Sequence, residues 1–198
     1  MGLRGGLAIF LLTVLLSKDI MAVLGPEFVP GWVVLIVVAA AQLFNSSVGP
    51  TQRVLAMTRH QKVLMAATAG SALVGVAASF ALVPGYGILG AAAATATAIV
   101  LMNAITLLSV RRLLDFWPYD RRYAKPVSAG ALAAAAVYLV GLAAPVPQGV
   151  QALLVFAPLF LVFYAGLLIV LGLGKSDRQL LAALWAPARR AMRRVARR

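Results

Sequence analysis

Six runs of apolar residues set the terms on which this chain can fold. They fall at about 5–24, 31–57, 63–83, 87–110, 126–144 and 150–173, each bounded by glycine, proline or charge. About 20 apolar residues in a helix cross the roughly 30 Å of hydrocarbon in a bilayer. The pattern therefore predicts an all-α, polytopic membrane bundle of about six transmembrane helices over residues 1–174, with 126–144 the shortest span. Composition agrees. Of 198 residues, 63% are hydrophobic and 12% charged, with a mean hydropathy of +0.96. A soluble domain is nearer half apolar and a quarter charged. The first run, "MGLRGGLAIFLLTVLLSKDIMAVLG", places Arg4 ahead of an apolar stretch as a signal peptide does. It is long for that role and no small-x-small cleavage site follows, so it reads as a retained first span.

The basic residues fix the expected orientation. "GPEFVPG" (25–31), "PGYG" (84–87) and "APVPQG" (144–149) contain neither lysine nor arginine. The alternate connections hold Arg4, then Arg59 and Lys62, then Arg111, Arg112, Arg121, Arg122 and Lys125, and finally the tail from Lys175 to Arg198. Sixteen of the 18 basic residues thus lie on one side, which the positive-inside rule assigns to the cytoplasm. Both termini are expected there. Only Lys18 and Arg53 are left over, each within or at the edge of an apolar run and within snorkelling reach of an interface. The tail, 175–198, places Leu180, Leu181, Leu184, Trp185, Ala188, Met192 and Val195 at three- and four-residue spacing among paired arginines. Ser176 or Asp177 could cap its start. It reads as a helix on the inner leaflet, its arginines on anionic lipid. No aromatic interleaving points to nucleic acid.

Chemistry has little to work with. There is no cysteine, one histidine and five acids: Asp19, Glu27, Asp115, Asp120 and Asp177. No metal-ligand spacing, phosphate loop or catalytic constellation stands out, so neither an enzyme nor a cofactor is expected. Small residues crowd two spans, with Gly70, Ser71 and Gly75 in one and Gly87, Gly90, Ala94 and Ala98 in the other. Such faces serve close helix packing.

The second span is different. After an apolar first third, Gln42, Asn45, Ser46, Gly49, Gln52 and Arg53 appear, and 42, 45, 49 and 52/53 follow one helical face. Pro50 removes a backbone donor, so a kink is expected beside Arg53. The face could make interhelical hydrogen bonds, with Arg53 snorkelling to headgroups. It could instead line a polar cavity, shared with Asn103 of the fourth span, in which Arg53 meets an anionic solute.

Three stretches resemble a known family. Leu24, Gly25 and Phe28 match a "L-x-G-x-x-F/Y" turn. Gly49, Pro50, Leu55, Met57, Thr58 and Lys62 match "G-P-x-x-x-x-L-x-M-T-G-x-x-K". Pro84, Tyr86, Gly87, Ile88, Gly90, Ala91, Ala92, Ala94 and Thr95 match "P-x-Y-G-I-x-G-A-A-x-A-T". Over about residues 20–120 the chain resembles the C-terminal half of the polysaccharide (O-antigen or capsular oligosaccharide) flippases of the multidrug/oligosaccharidyl-lipid/polysaccharide exporter superfamily. Arg59 stands where the family pattern has glycine. The family typically has twelve to fourteen helices in two bundles, so the resemblance implies a fragment or truncated member that lacks an N-terminal half, partnered by that half or by a second copy. It also implies export of cell-surface polysaccharide precursors, including those of lipopolysaccharide, across a bacterial inner membrane. The ligand would be an undecaprenyl-pyrophosphate-linked oligosaccharide, with Arg53, Gln42, Asn45 and Asn103 at the headgroup. Two alternatives remain open: a non-transporting membrane module or decayed paralogue, and an ion-coupled multidrug extruder, for which Asp19 is the only near-membrane acid.

Overall fold

The computed structural model describes residues 2–48, 51–114, 124–143 and 149–170, and the described residues are helical almost throughout. The tail 175–198, the Gly49–Pro50 pair and the connection 144–148 lie outside them, and with them the expected surface helix and Pro50 kink. In chain order the elements are α1 (Gly2–Leu15), α2 (Ser17–Leu24), a 3₁₀ turn (Pro26–Gly31), α3 (Trp32–Val48), α4 (Thr51–Met57), α5 (Gln61–Leu114), α6 (Ala124–Ala143) and α7 (Val150–Val170). Among the described residues, three helical stretches are long and apolar enough to cross a membrane: Pro26–Val48, Gln61–Leu113 and Val150–Leu168.

The longest element resolves into two. A straight helix of 54 residues would be about 80 Å long, well over twice the hydrocarbon thickness. Instead Gly87, at φ 54° and ψ −130°, reverses the chain. Only glycine adopts that conformation at low cost. Contacts across the turn show an antiparallel hairpin. Ser71 Oγ lies 3.5 Å from Met102 Sδ, and a Cβ at Gly75 would sit 2.9 Å from Ala98 Cβ. At Gly90 the limbs close until the backbone of Leu82 occupies the place of a Cβ. The expected "PGYG" loop is therefore a single non-helical residue, and the small residues of both limbs let the backbones meet.

The first span, expected as one helix, is broken. α1 and α2 meet at a 73° bend. No proline or glycine lies at the break. The buried Ser17 turns its hydroxyl back onto the Val14 carbonyl at 3.3 Å, the kind of side-chain bond that bends helices. Long-range contacts hold the second piece. The Asp19 carboxylate accepts the backbone N–H of Gly149 at 2.9 Å, tying α2 to the start of α7, and Lys18 Nζ lies 5.4 Å from the centre of the Trp32 ring.

α1 sits between two groups of helices. On one side α3 packs on α1 and on the α5 hairpin, and Gly6 is so close to Ser46 that a Cβ would lie 2.7 Å from the serine Cβ. On the other side α6 and α7 pack on each other and on α1. Ala8, Leu16, Ala129, Ala133, Val137, Ala152, Phe156, Phe160 and Tyr164 form the buried cluster there. Alanines at 129 and 133 and glycine at 130 keep α6 close to Leu7 and Leu11. The Phe160 and Tyr164 rings stack at 5.8 Å, and the tyrosine hydroxyl donates to the Arg4 carbonyl at 3.0 Å, satisfying a polar tip in an apolar seam.

Candidate functional site

The polar side of α3 and α4 is the place to look, because a membrane helix has little other use for amides and a guanidinium. Which side each residue faces follows from what is buried. Ala41, Val48, Thr51 and Leu55 are all buried, and Thr51 meets Thr106 of the α5 hairpin. Ser46 faces α1 at Gly6. Arg53 is two residues from both Thr51 and Leu55, about 160–200° round the helix, so it points away from the hairpin and is exposed. Gln42 is exposed, and Asn45 partly so. The Asn45 amide donates to the Gln42 Oε1 at 3.2 Å, one turn along the same helix.

Asn103 is not part of this flank. Its side chain is 2% exposed, and its amide donates to the Ile99 carbonyl of its own helix at 2.8 Å. Its amide is thus buried in the bundle and satisfied within its own helix. Two threonines escaped the sequence reading. Thr51 Oγ1 approaches Thr106 Oγ1 at 3.4 Å, and Thr106 also bonds the carbonyls of Met102 and Asn103. Both threonines are buried. Periodicity could have found them, since 99, 103, 106 and 110 share a face. A threonine hydroxyl satisfies itself on the preceding turn and is tolerated in lipid, so it does not stand out in an apolar run. Of the four candidate residues, then, the structure brings Gln42 and Asn45 together, sets Arg53 on an exposed face further along, and buries Asn103 elsewhere.

A second polar feature lies near the α1–α2 break. Asp19 lines a cleft of about 210 Å³ with Leu15, Leu16, Val137, Tyr138, Gly141 and Phe156. Apart from the carboxylate and the phenol of Tyr138, its side chains are apolar. Among the described residues no group of three or more histidine or acidic side chains could hold a metal ion.

Comparison with protein-family models returns no match, and comparisons with curated proteins and with solved structures likewise return none. The family resemblance rests on the quoted residues alone.

Proposed function

We propose that this chain is a fragment or truncated member of a lipid-linked oligosaccharide flippase, spanning a bacterial inner membrane six times with both termini in the cytoplasm. Three features support six spans. The Gly87 reversal divides α5 into two limbs of about 26 and 27 residues, each long enough to cross. The bent α1–α2 pair serves as one broken span. α6, at 20 residues, and α7, at 21, are each about 30 Å long.

The observation that carries the function is the exposed flank of α3 and α4. It bears Gln42 and Arg53, both exposed, and the partly exposed Asn45. A guanidinium further along the same flank as two amides suits a pyrophosphate and sugar hydroxyls, while the apolar faces around it suit a prenyl tail. The other half of the transporter, or a second copy, would close this flank into a cavity. Its test is binding of a prenyl-pyrophosphate analogue, with the chain alone and with a supplied N-terminal bundle. Arg53→Gln should keep membrane insertion and weaken binding by about 1.5–3 kcal/mol, the range of a charge-assisted contact. Arg53→Lys should recover part of the loss, since lysine keeps the charge without the planar fork. Equal binding by Arg53→Gln and parent in both settings would leave Arg53 a snorkelling residue.

The multidrug-extruder reading draws on Asp19. A carboxylate at the break of a span, on the wall of an apolar cleft, is where a coupling cation would compete with the Gly149 N–H. Uptake of a lipophilic cation by the Asp19 cleft, with no effect of Arg53→Gln, would favour it.

A further inference from the structure

We propose that the end of the α5 hairpin remote from Gly87 holds the phosphodiester group of an anionic phospholipid, gripped by Arg59, Lys62 and Arg112. This inference does not depend on the transporter reading. The hairpin register sets the cations at one level of the bundle. Ser71 on the first limb meets Met102 on the second. Nine residues beyond each, about 14 Å further along both limbs, come Lys62 and Arg111. Arg112 follows, and Arg59 is three residues before Lys62, in the tight turn that joins α4 to α5. Residues some fifty apart in sequence thus share one end of one structural unit. All four side chains are exposed.

Two further observations choose the occupant. The first is backbone strain at Arg59. Its φ is +63°, and it closes the α4 C-terminus, with His60 N–H bonded to the Leu55 carbonyl at 3.1 Å. That geometry favours glycine. An arginine there is conformationally disfavoured, and its side chain is exposed. Strain held under an exposed cation points to a ligand for that cation. The second is what lies one turn deeper. Met57 is 83% exposed and Met65 71% exposed, immediately on the Gly87 side of the charges. A nucleic acid or an acidic protein would gain nothing from two exposed thioethers beneath the cationic ring. A phospholipid places its phosphate on the cations and its acyl chains on the methionines, and both contacts are then used.

The test uses the full chain in phosphatidylcholine nanodiscs. A phosphatidylglycerol carrying a photoactivatable group near the glycerol end of one acyl chain is added at limiting concentration, and labelled peptides are mapped. The segment 57–65 should label, and a phosphatidylcholine carrying the same group should label it far less. Each cation near a membrane surface is worth about a fivefold change in lipid occupancy, so Lys62→Gln with Arg112→Gln should reduce labelling more than about tenfold. Labelling of segment 25–32, at the opposite end of the bundle, should stay unchanged and reports that the variant is folded. Equal labelling by the two lipids, or unchanged labelling in the double variant, overturns the proposal. So does loss of the label to low concentrations of heparin, which would assign the cations to a soluble polyanion.

Discussion

Replacing Gly90 by alanine should loosen the hairpin, and its neighbours supply the controls. An added methyl at Gly90 would overlap the Leu82 carbonyl oxygen, lie 2.6 Å from the Leu82 carbonyl carbon and 3.0 Å from the Val83 nitrogen. All three are backbone atoms, so no side chain can rotate aside. Carbon atoms in good contact sit about 3.5–4.0 Å apart, so the limbs must part by roughly 1 Å. Overpacking of this kind costs about 1–3 kcal/mol. Gly85 offers the contrast: nothing lies within 4 Å, and its backbone is helical. Alanine there should be neutral or stabilising by up to about 1 kcal/mol, from helix propensity alone. Gly87 also has open space, but its φ of 54° and ψ of −130° would put an alanine in a region that costs about 1–3 kcal/mol. Thermal unfolding in one detergent should therefore rank Gly85→Ala at or above the parent, with Gly87→Ala and Gly90→Ala both several degrees lower, at about 2–4 °C per kcal/mol for a chain of this size. If α5 were one continuous rod, alanine at all three positions would raise helix propensity. Stabilisation by Gly90→Ala would refute the hairpin packing.

Arg59→Gly should relieve the positive φ and raise stability in neutral detergent by about 1 kcal/mol, read as a melting shift of about 2–4 °C. Asp19→Ala removes the acceptor for the Gly149 N–H. The carboxylate is partly exposed, so the loss should be about 1 kcal/mol, and amide hydrogen exchange should accelerate at the α7 N-terminus more than in α3.

The parts of this fold that local chemistry decides could be read in the sequence. The apolar runs pointed to a helical bundle, and Pro84, Gly85 and Gly87 marked the reversal, although only Gly87 leaves the helix. The break at Leu16 was hidden. "LLTVLLSKDI" carries no proline or glycine, and the bend is held by a bond to Gly149, 130 residues away. The candidate site divides the same way. The period of Gln42, Asn45 and Arg53 identifies a polar flank. Whether a given polar residue meets a cavity, a neighbour or its own helix depends on packing, and that is why Asn103 proves to be bonded to Ile99 while Thr51 and Thr106 form a polar contact between helices.

Single cysteines at Lys62, Tyr86 and Arg112 test the central architectural claim most directly. The chain has no native cysteine, so each label reports one position. With the hairpin in a bilayer, Tyr86 should react with an impermeant thiol reagent from the periplasmic side, and Lys62 and Arg112 should react only once the cytoplasmic side is opened. Labelling of Lys62 and Arg112 from opposite sides would mean that α5 does not turn back at Gly87, and the six-span architecture would fall with it.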